Sequence, residues 1–203
     1  SLHDTCVLSS DKTPQGVVFT NGFARVDGTF DVALCPLVSR FNHSCIPNCE
    51  QSWNEITSEA EIYASTAVAV GEEFCYFYTD IRAPRAERAK KLWEHWRFEC
   101  RCPACTKASA ASDERRLLMQ RLDEDVTTAG GRDPERAIKM IGEIFEAYNK
   151  EGLHLLSYRT RLCRHAAELA FLLGDSVGAK LWLAKAFECS MLCHGPRHPE
   201  TLW

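Results

Sequence analysis

The sequence lacks the features of membrane-spanning, secreted and nucleic-acid-binding proteins. No apolar run approaches the ~18 residues that a membrane helix needs. No charged segment followed by an apolar one stands at the N-terminus, so we find no secretory signal and expect an intracellular protein of the cytoplasm or nucleus. The formal net charge of −4 lacks the basic excess of a nucleic-acid surface. We therefore expect neither a membrane nor a nucleic acid as a direct partner.

Common catalytic patterns are missing as well. The chain has no Ser-His-Asp set, no glycine-rich phosphate loop and no paired-carboxylate site. Its composition is that of an ordinary globular protein, with 203 residues of which 45% are hydrophobic and 26% are charged. This length predicts one large domain, or one domain and part of a second.

Cysteine is abundant, with eleven in the chain. Because the number is odd and no leader is found, a secreted disulfide framework is not expected. The Cys-x-Cys-x-x-Cys run at 100–105 has the close spacing of zinc ligands, and a closed zinc site takes four. The fourth ligand must come from elsewhere, and spacing alone leaves Cys35, Cys45 and Cys49 as candidates.

The chain is organised around the stretch Arg-Phe-Asn-His-Ser-Cys-Ile-Pro-Asn-Cys at 40–49. It holds an amide, an imidazole and two thiols between a short apolar run and a proline turn. These are poor helix and strand formers, so the pattern predicts a loop whose polar groups point at a ligand. Two later stretches accompany it: a Gly-Glu-Glu turn with an aromatic strand at 71–80, and the segment Phe-Glu-Cys-Arg-Cys-Pro-Ala-Cys at 98–105.

Short strands and turns dominate the first half of the chain. A helix is predicted from Pro84 to about Trp96. The basic residues in and just before this helix are predicted to form a solvated face; they are Arg82, Arg85, Arg88, Lys90 and Lys91. The other predicted elements are, in order, a strand or buried connector at 16–20, strands at 23–26 and 29–34 joined by an Asp27-Gly28 turn, a helical turn at 35–41, and strands at 60–66 and 74–78.

Helical periodicity takes over from about residue 112. Ser112 or Asp113 is expected to cap a helix that runs to about Thr128, and Asp133 with Pro134 to begin the next. The apolar faces predicted for the later helices are Ile138, Ile141, Phe145 and Tyr148, then Leu155, Tyr158, Leu162, Ala166, Leu169 and Leu173, then Val177, Leu181, Ala184, Phe187 and Met191.

Antiparallel helix pairs of this length resemble tetratricopeptide-type repeats. The change of pattern places a boundary near 106–112. We therefore predict two domains, one at 1–106 that is rich in short strands and carries the cysteine run, and a helical one at 112–203.

Three motifs together resemble the SET domain of protein lysine methyltransferases. They are Asn-His-Ser-Cys-x-Pro-Asn at 42–48, Gly-Glu-Glu at 71–73 before an aromatic strand ending at Tyr78, and the cysteine run at 100–105. With the helical C-terminal region, the SET-and-MYND subfamily and its fungal relatives are the nearest likeness. The resemblance implies an α+β fold: the C-terminal half of a SET β-fold with a post-SET zinc site, followed by an all-α, tetratricopeptide-like helical domain.

The resemblance implies an S-adenosylmethionine-dependent protein-lysine N-methyltransferase whose partner is a protein with a target lysine. Carried over residue by residue, it puts Tyr78 at the methyl-transfer centre. The implied cofactor residues are Asn21, Asn42, His43 and Phe98. The implied residues of the substrate channel are Phe23, Tyr76 and Trp96. The implied zinc ligands are Cys45, Cys100, Cys102 and Cys105.

One departure from the family keeps other hypotheses open. The Gly-x-Gly loop of the first SET strands and the MYND zinc finger are not found, and we expect both upstream of Ser1. We therefore expect residues 1–203 alone to bind S-adenosylmethionine weakly and to be a poor methyltransferase. The alternatives are a non-catalytic scaffold held by zinc and a helical-repeat module at 112–203 that binds peptide partners. Cofactor binding separates the enzyme from both.

Overall fold

The computed structural model of the chain describes residues 4–5, 12–25 and 32–202. None of the helices in these ranges is both long and apolar enough to cross a lipid bilayer. In chain order the elements are α1 (Pro14–Asn21), β1 (Gly22–Ala24), β2 (Val32–Leu34), a 3-10 turn (Val38–Arg40), β3 (Asn42–His43), β4 (Cys49–Asn54), β5 (Glu59–Ala64), β6 (Cys75–Tyr76), α2 (Arg85–Trp96), α3 (Pro103–Thr106), α4 (Ala110–Gly130), α5 (Pro134–Lys150), α6 (Leu156–Leu172), α7 (Ser176–Cys193) and α8 (Pro199–Leu202).

The strands pair in twos. β1 runs antiparallel to β2, and β4 and β5 form an antiparallel hairpin. β3 and β6 are parallel, with Asn42 opposite Cys75 and His43 opposite Tyr76. This parallel pair places the motif at 40–49 beside the aromatic stretch at 71–80, which is distant in sequence.

Most of the predicted strands are confirmed. The pair at 23–26 and 29–34 is present as β1 and β2, and its Asp27-Gly28 turn lies outside the described residues. The strand at 60–66 is β5, and the one at 74–78 is reduced to β6. The sequence did not predict β4, because Cys-Glu-Gln-Ser-Trp-Asn contains no β-branched residue.

The strand or connector predicted at 16–20 is wrong, because these residues belong to α1. Thr13 caps this helix, and its Oγ1 accepts the backbone N–H of Gly16 at 3.0 Å. Pro14 occupies the first helical position, where its missing N–H costs no hydrogen bond. The short cap signal therefore outweighs the β-branched residues that follow it.

The helix predicted from Pro84 is confirmed as α2. The solvated basic face predicted for this region is confirmed at Arg85 and Lys90, whose side chains are exposed. The prediction is wrong for Arg88, which is only 1% exposed. Arg82, just before the helix, is also largely covered, and its guanidinium forms ion pairs with two aspartates.

Two helices begin close to where the sequence places them. α4 starts earlier than predicted, because Ser109 rather than Ser112 or Asp113 is its N-cap. Two alanines at 110–111 favour the helix and extend it backward. The start of α5 is confirmed, with the Asp133 side chain capping its first turn.

The apolar faces predicted for α5 and α6 are largely confirmed. Ile141 and Tyr148 of α5 and Leu162 and Ala166 of α6 are fully buried. Leu173 at the end of α6 is exposed, so the prediction is wrong there.

The buried face of α7 differs from the predicted one. Val177, Leu181 and Phe187 are 68%, 63% and 52% exposed. The buried residues are instead Ala179, Ala186, Ser190 and Cys193. These are small, and small side chains allow α7 to approach α6 closely.

Two side chains, Glu50 and His198, form hydrogen bonds between the β4–β5 hairpin and the helical part of the chain. Glu50 of β4 is buried, and its carboxylate accepts the backbone N–H groups of Leu156 and Ser157 at the start of α6. A carboxylate suits this end of a helix, where the N–H groups are unpaired and the dipole is positive. His198 accepts a backbone N–H at Nδ1, so its Nε2 donates to the Trp53 carbonyl at 3.0 Å.

The main core extends from the helices into the cysteine motifs. It contains Met119 of α4, Ile141 of α5 and Leu162 of α6, together with Cys45 and Cys105. The boundary predicted near 106–112 extends from the end of α3 to the first turn of α4 and stays a prediction.

Two neighbouring substitutions test which face of α7 is buried. Ala186→Asp places a carboxylate at a fully buried position and should lower the free energy of unfolding by about 3 kcal/mol or more. Phe187→Asp introduces the same side chain at an exposed position and should change it by about 0.5 kcal/mol or less. Urea unfolding followed by circular dichroism measures both. A larger loss at Phe187 would mean that the face predicted from sequence is the buried one.

Candidate active site and metal centre

Four cysteines bring their sulfur atoms together. Cys45 follows β3, whereas Cys100, Cys102 and Cys105 lie between α2 and α4. The four Sγ atoms lie within 4.8 Å of one another, and those of Cys45 and Cys105 are 3.6 Å apart. A tetrahedral zinc ion with Zn–S bonds of ~2.3 Å requires sulfur separations of about 3.8 Å. The group therefore fits one zinc ion.

The two rival candidates for the fourth ligand lie elsewhere. Cys49 is buried as the first residue of β4, and its Sγ lies 3.5 Å from Asn48 Oδ1. Cys35 follows β2. Within the described part of the chain, neither belongs to the four-sulfur group.

His43 connects the sulfur group to the aromatic stretch. Its Nδ1 accepts the backbone N–H of Tyr78 at 3.0 Å, and its Nε2 lies 3.2 Å from Cys45 Sγ. Because a backbone N–H can only donate, the proton of the neutral ring is on Nε2 and points at the sulfur. Burial lowers the pKa of His43 to about 4, so the ring is neutral at physiological pH.

A large cavity, with a volume of about 1390 Å³, opens beside the sulfur group. Cys100 and Cys102 lie in its wall, so cavity and sulfur group are adjacent. The structure brings together around it all eight residues that the resemblance assigns to the cofactor, the channel and the transfer centre: Asn21, Phe23, Asn42, His43, Tyr76, Tyr78, Trp96 and Phe98.

Tyr78 lies at the centre of the aromatic wall. Its ring centroid is 5.1 Å from those of Tyr76 and Trp96, and 6.3 Å from that of Phe98, which it meets edge-on. Its hydroxyl donates to the Phe41 carbonyl at 2.6 Å. Burial raises the pKa of Tyr78 to about 12, so the hydroxyl stays protonated at physiological pH.

Another part of the cavity wall comes from the N-terminal elements. Asn21 is the last residue of α1, and Phe23 on β1 is buried with its ring centroid 6.2 Å from that of Trp53. The indole N–H of Trp96 donates to the Thr20 carbonyl at 2.9 Å. This hydrogen bond ties α2 to the N-terminal wall.

The Gly-Glu-Glu turn holds the central motif, a role that the sequence did not reveal. The pattern predicts Glu72 and Glu73 only as turn residues. In the structure Asn42 Nδ2 donates to Glu73 Oε1 at 2.5 Å, and Asn48 Nδ2 donates to Glu72 Oε1 at 3.2 Å. Asn48 Oδ1 also accepts the backbone N–H of Cys75 at 2.8 Å. The sequence does contain a signal for this role. The motif at 42–48 has two amide side chains, Asn42 and Asn48, and the turn has two adjacent carboxylates, Glu72 and Glu73.

The comparison with known families matches residues 8–79 to the SET domain. The match covers the 42–48 motif and ends just after Tyr78. The resemblance drawn from the sequence is therefore confirmed.

Individual relatives agree with this match. The chain is 31% identical over 109 residues to histone-lysine N-methyltransferase set5 of Schizosaccharomyces pombe, covering 52% of this chain and 34% of that protein. It is 42% identical over 86 residues to protein-lysine N-methyltransferase SMYD4 of Pongo abelii, covering 41% of this chain and 10% of that protein. Over 177 residues it is 25% identical to mouse histone-lysine N-methyltransferase Smyd1, covering 75% of this chain and 33% of that protein.

The chain thus spans about a third or less of the length of these relatives. The family match, the relatives' names and the mostly helical C-terminal region agree on one assignment. Residues 8–79 carry SET-domain sequence, and the chain is similar to methyltransferases of the SET-and-MYND type.

Proposed function

We propose that this chain builds the S-adenosylmethionine and lysine sites of a protein-lysine N-methyltransferase. One observation carries the proposal: a single cavity is lined by all eight residues that the family pattern assigns to cofactor, channel and transfer centre. Its volume of about 1390 Å³ exceeds the ~300–1,000 Å³ of a typical small-molecule pocket. A cofactor and a lysine side chain can therefore share it.

Cofactor binding is assigned to Asn42, His43, Phe98 and Asn21. When bound, S-adenosylmethionine supplies the transferred methyl group and a positively charged sulfur. The Asn42 amide is oriented by Glu73, and the His43 ring is held at both nitrogens. Groups already fixed in this way lose little freedom on binding, which favours affinity.

The lysine channel is assigned to Phe23, Tyr76 and Trp96. A free lysine amine has a pKa of about 10.4 and is mostly protonated at neutral pH. Transfer needs the neutral amine, whose nitrogen has a lone pair. Aromatic walls disfavour the charged form by removing water, which lowers the amine pKa toward neutrality.

Tyr78 is assigned to the transfer centre. Its hydroxyl gives its only proton to the Phe41 carbonyl, which leaves the oxygen lone pairs as acceptors. An acceptor held in place by that hydrogen bond can orient the amine and interact favourably with positive charge nearby. Fixed orientation of the reacting groups is a large source of rate enhancement.

Zinc binding is assigned to Cys45, Cys100, Cys102 and Cys105. The ion would join the loop after β3 to the segment between α2 and α4, so its role is structural. Zinc-binding thiols must stay reduced, which agrees with a cytoplasmic or nuclear location. The proposed partner is a protein with an accessible lysine.

Metal analysis tests the zinc assignment. Purified protein should contain about one zinc per chain, because a closed site takes four ligands. Cys102→Ser removes one ligand and should lower both the zinc content and the melting temperature. Cys189→Ser, in α7 and outside the group, is the matched control and should keep the metal. A folded wild-type protein without zinc would contradict the assignment.

Tyr78→Phe tests the catalytic assignment in the whole protein. It removes one hydroxyl and little volume, so the fold should persist, whereas methyl transfer to a protein lysine should fall by roughly 10²-fold or more. Transfer of radiolabelled methyl groups measures the rate, and calorimetric titration with S-adenosylmethionine should give a nearly unchanged affinity.

The control for this experiment is Tyr63→Phe, since Tyr63 lies on β5 and outside the cavity wall. It should leave transfer unchanged. If Tyr78→Phe also transfers at the wild-type rate, the chemistry belongs to another residue. If the wild-type protein binds no S-adenosylmethionine, the non-catalytic scaffold becomes the better account.

A further inference from the structure

Arg88 is a buried cation that faces sulfur. It lies on α2 and is 1% exposed. Its Nε donates to Cys45 Sγ at 3.2 Å, and one terminal nitrogen lies 4.0 Å from Cys105 Sγ. The other terminal nitrogen donates to the Ala83 carbonyl. Two of its three nitrogens thus point at the four-cysteine group.

No carboxylate of the described residues lies within ion-pair distance of Arg88. A second buried arginine shows the contrast. Arg116 of α4 is 0% exposed, and its Nε lies 3.2 Å from the Glu151 carboxylate. Burying a guanidinium without a negative partner is strongly unfavourable, so Arg88 also requires one.

The four thiols can supply that negative charge as thiolates, and a bound metal ion holds all four in that form. Neutral thiols give no counter-charge, whereas four thiolates around one divalent ion carry a net charge of roughly −2. The Nε2–H of His43 adds a second hydrogen bond to the same Cys45 sulfur. Arg88 is thus placed to neutralise part of the excess charge.

We propose that Arg88 is the buried counter-ion of the metal–thiolate centre, a positioning residue that tunes the Cys45 and Cys105 sulfurs and fixes α2 against them. This inference rests on the zinc site proposed above. Hydrogen bonding from a cation stabilises the sulfur lone pairs, so thiolates compete better against protons and hold the metal more tightly.

α2 carries the effect toward the cavity. Arg88 lies two helical turns before Trp96, at ~1.5 Å of rise per residue. Trp96 lines the cavity and is bonded to the N-terminal wall through Thr20. The metal centre therefore helps to position the cavity wall through the helix that Arg88 anchors.

Cobalt provides the test, because sulfur-to-cobalt charge-transfer bands report the energy of the sulfur lone pairs. The full chain is produced in medium with Co²⁺, as wild type, Arg88→Met and Arg116→Met. Arg88→Met should shift these bands to longer wavelength and weaken metal binding ~10- to 100-fold in competition with a chelator. Arg116→Met removes an equally buried arginine, so it should lower stability but leave bands and affinity unchanged.

Each outcome has one meaning. Unchanged bands and affinity in folded Arg88→Met overturn the proposal, and so does an equal change in Arg116→Met. If Arg88→Met does not fold, Arg88→Gln is used, which keeps hydrogen-bond donors and loses the charge. A band shift in that variant supports the proposal, and wild-type bands overturn it. A wild-type protein that takes up neither Co²⁺ nor Zn²⁺ overturns the metal site itself.

Discussion

The orientation of one buried imidazole links the sulfur group to the cavity. The His43 ring carries a single proton in its neutral form. Because Nδ1 must accept from the Tyr78 backbone, only Nε2 can face Cys45 as a donor. In the other tautomer, the Nδ1 hydrogen would face the Tyr78 N–H, and the Nε2 lone pair would face the lone pairs of the Cys45 sulfur. The position of Tyr78 and the position of Cys45 are therefore set by the same ring.

The chain after Tyr78 is fixed in a different way. The carbonyls of Ile81 and Ala83 accept from the guanidinium groups of Arg116 and Arg88, both of which are buried. Backbone carbonyls of a loop normally face water. Here two cations cover them, and both Ile81 and Ala83 are buried. Charge buried in helices α2 and α4 thus holds the segment that follows the proposed transfer centre.

The sequence identifies residues that line the cavity, but it does not predict the contacts that hold them. Asn42, His43 and Tyr78 stand out because their residue types and spacing are unusual for a loop and a strand. Asn42 is held by the carboxylate of Glu73 in a turn, and Tyr78 is held by the backbone carbonyl of Phe41. Sequence patterns give no information on backbone acceptors or on which turn residue faces inward.

The errors in the fold have related physical causes. α7 is apolar on both sides, so periodicity selected its larger residues, whereas packing against α6 selected its small ones. The charge pattern of the α2 sequence predicts a solvated Arg88, since arginine is seldom buried without a partner, and the partner in this case is sulfur. A pattern based on side-chain polarity alone cannot identify a thiolate group as a counter-charge.

The contact of Glu50 with α6 limits how the protein can be divided. Its acceptor atoms and the N–H of Leu156 are 106 residues apart in sequence. A cut at 106–112 would leave a carboxylate without its donors on one piece and a helix without its cap on the other. The change of sequence pattern there marks a change of architecture, but neither piece retains the hydrogen bonds that it has in the intact chain. The hairpin and the helices at 112–203 therefore stabilise each other through this contact.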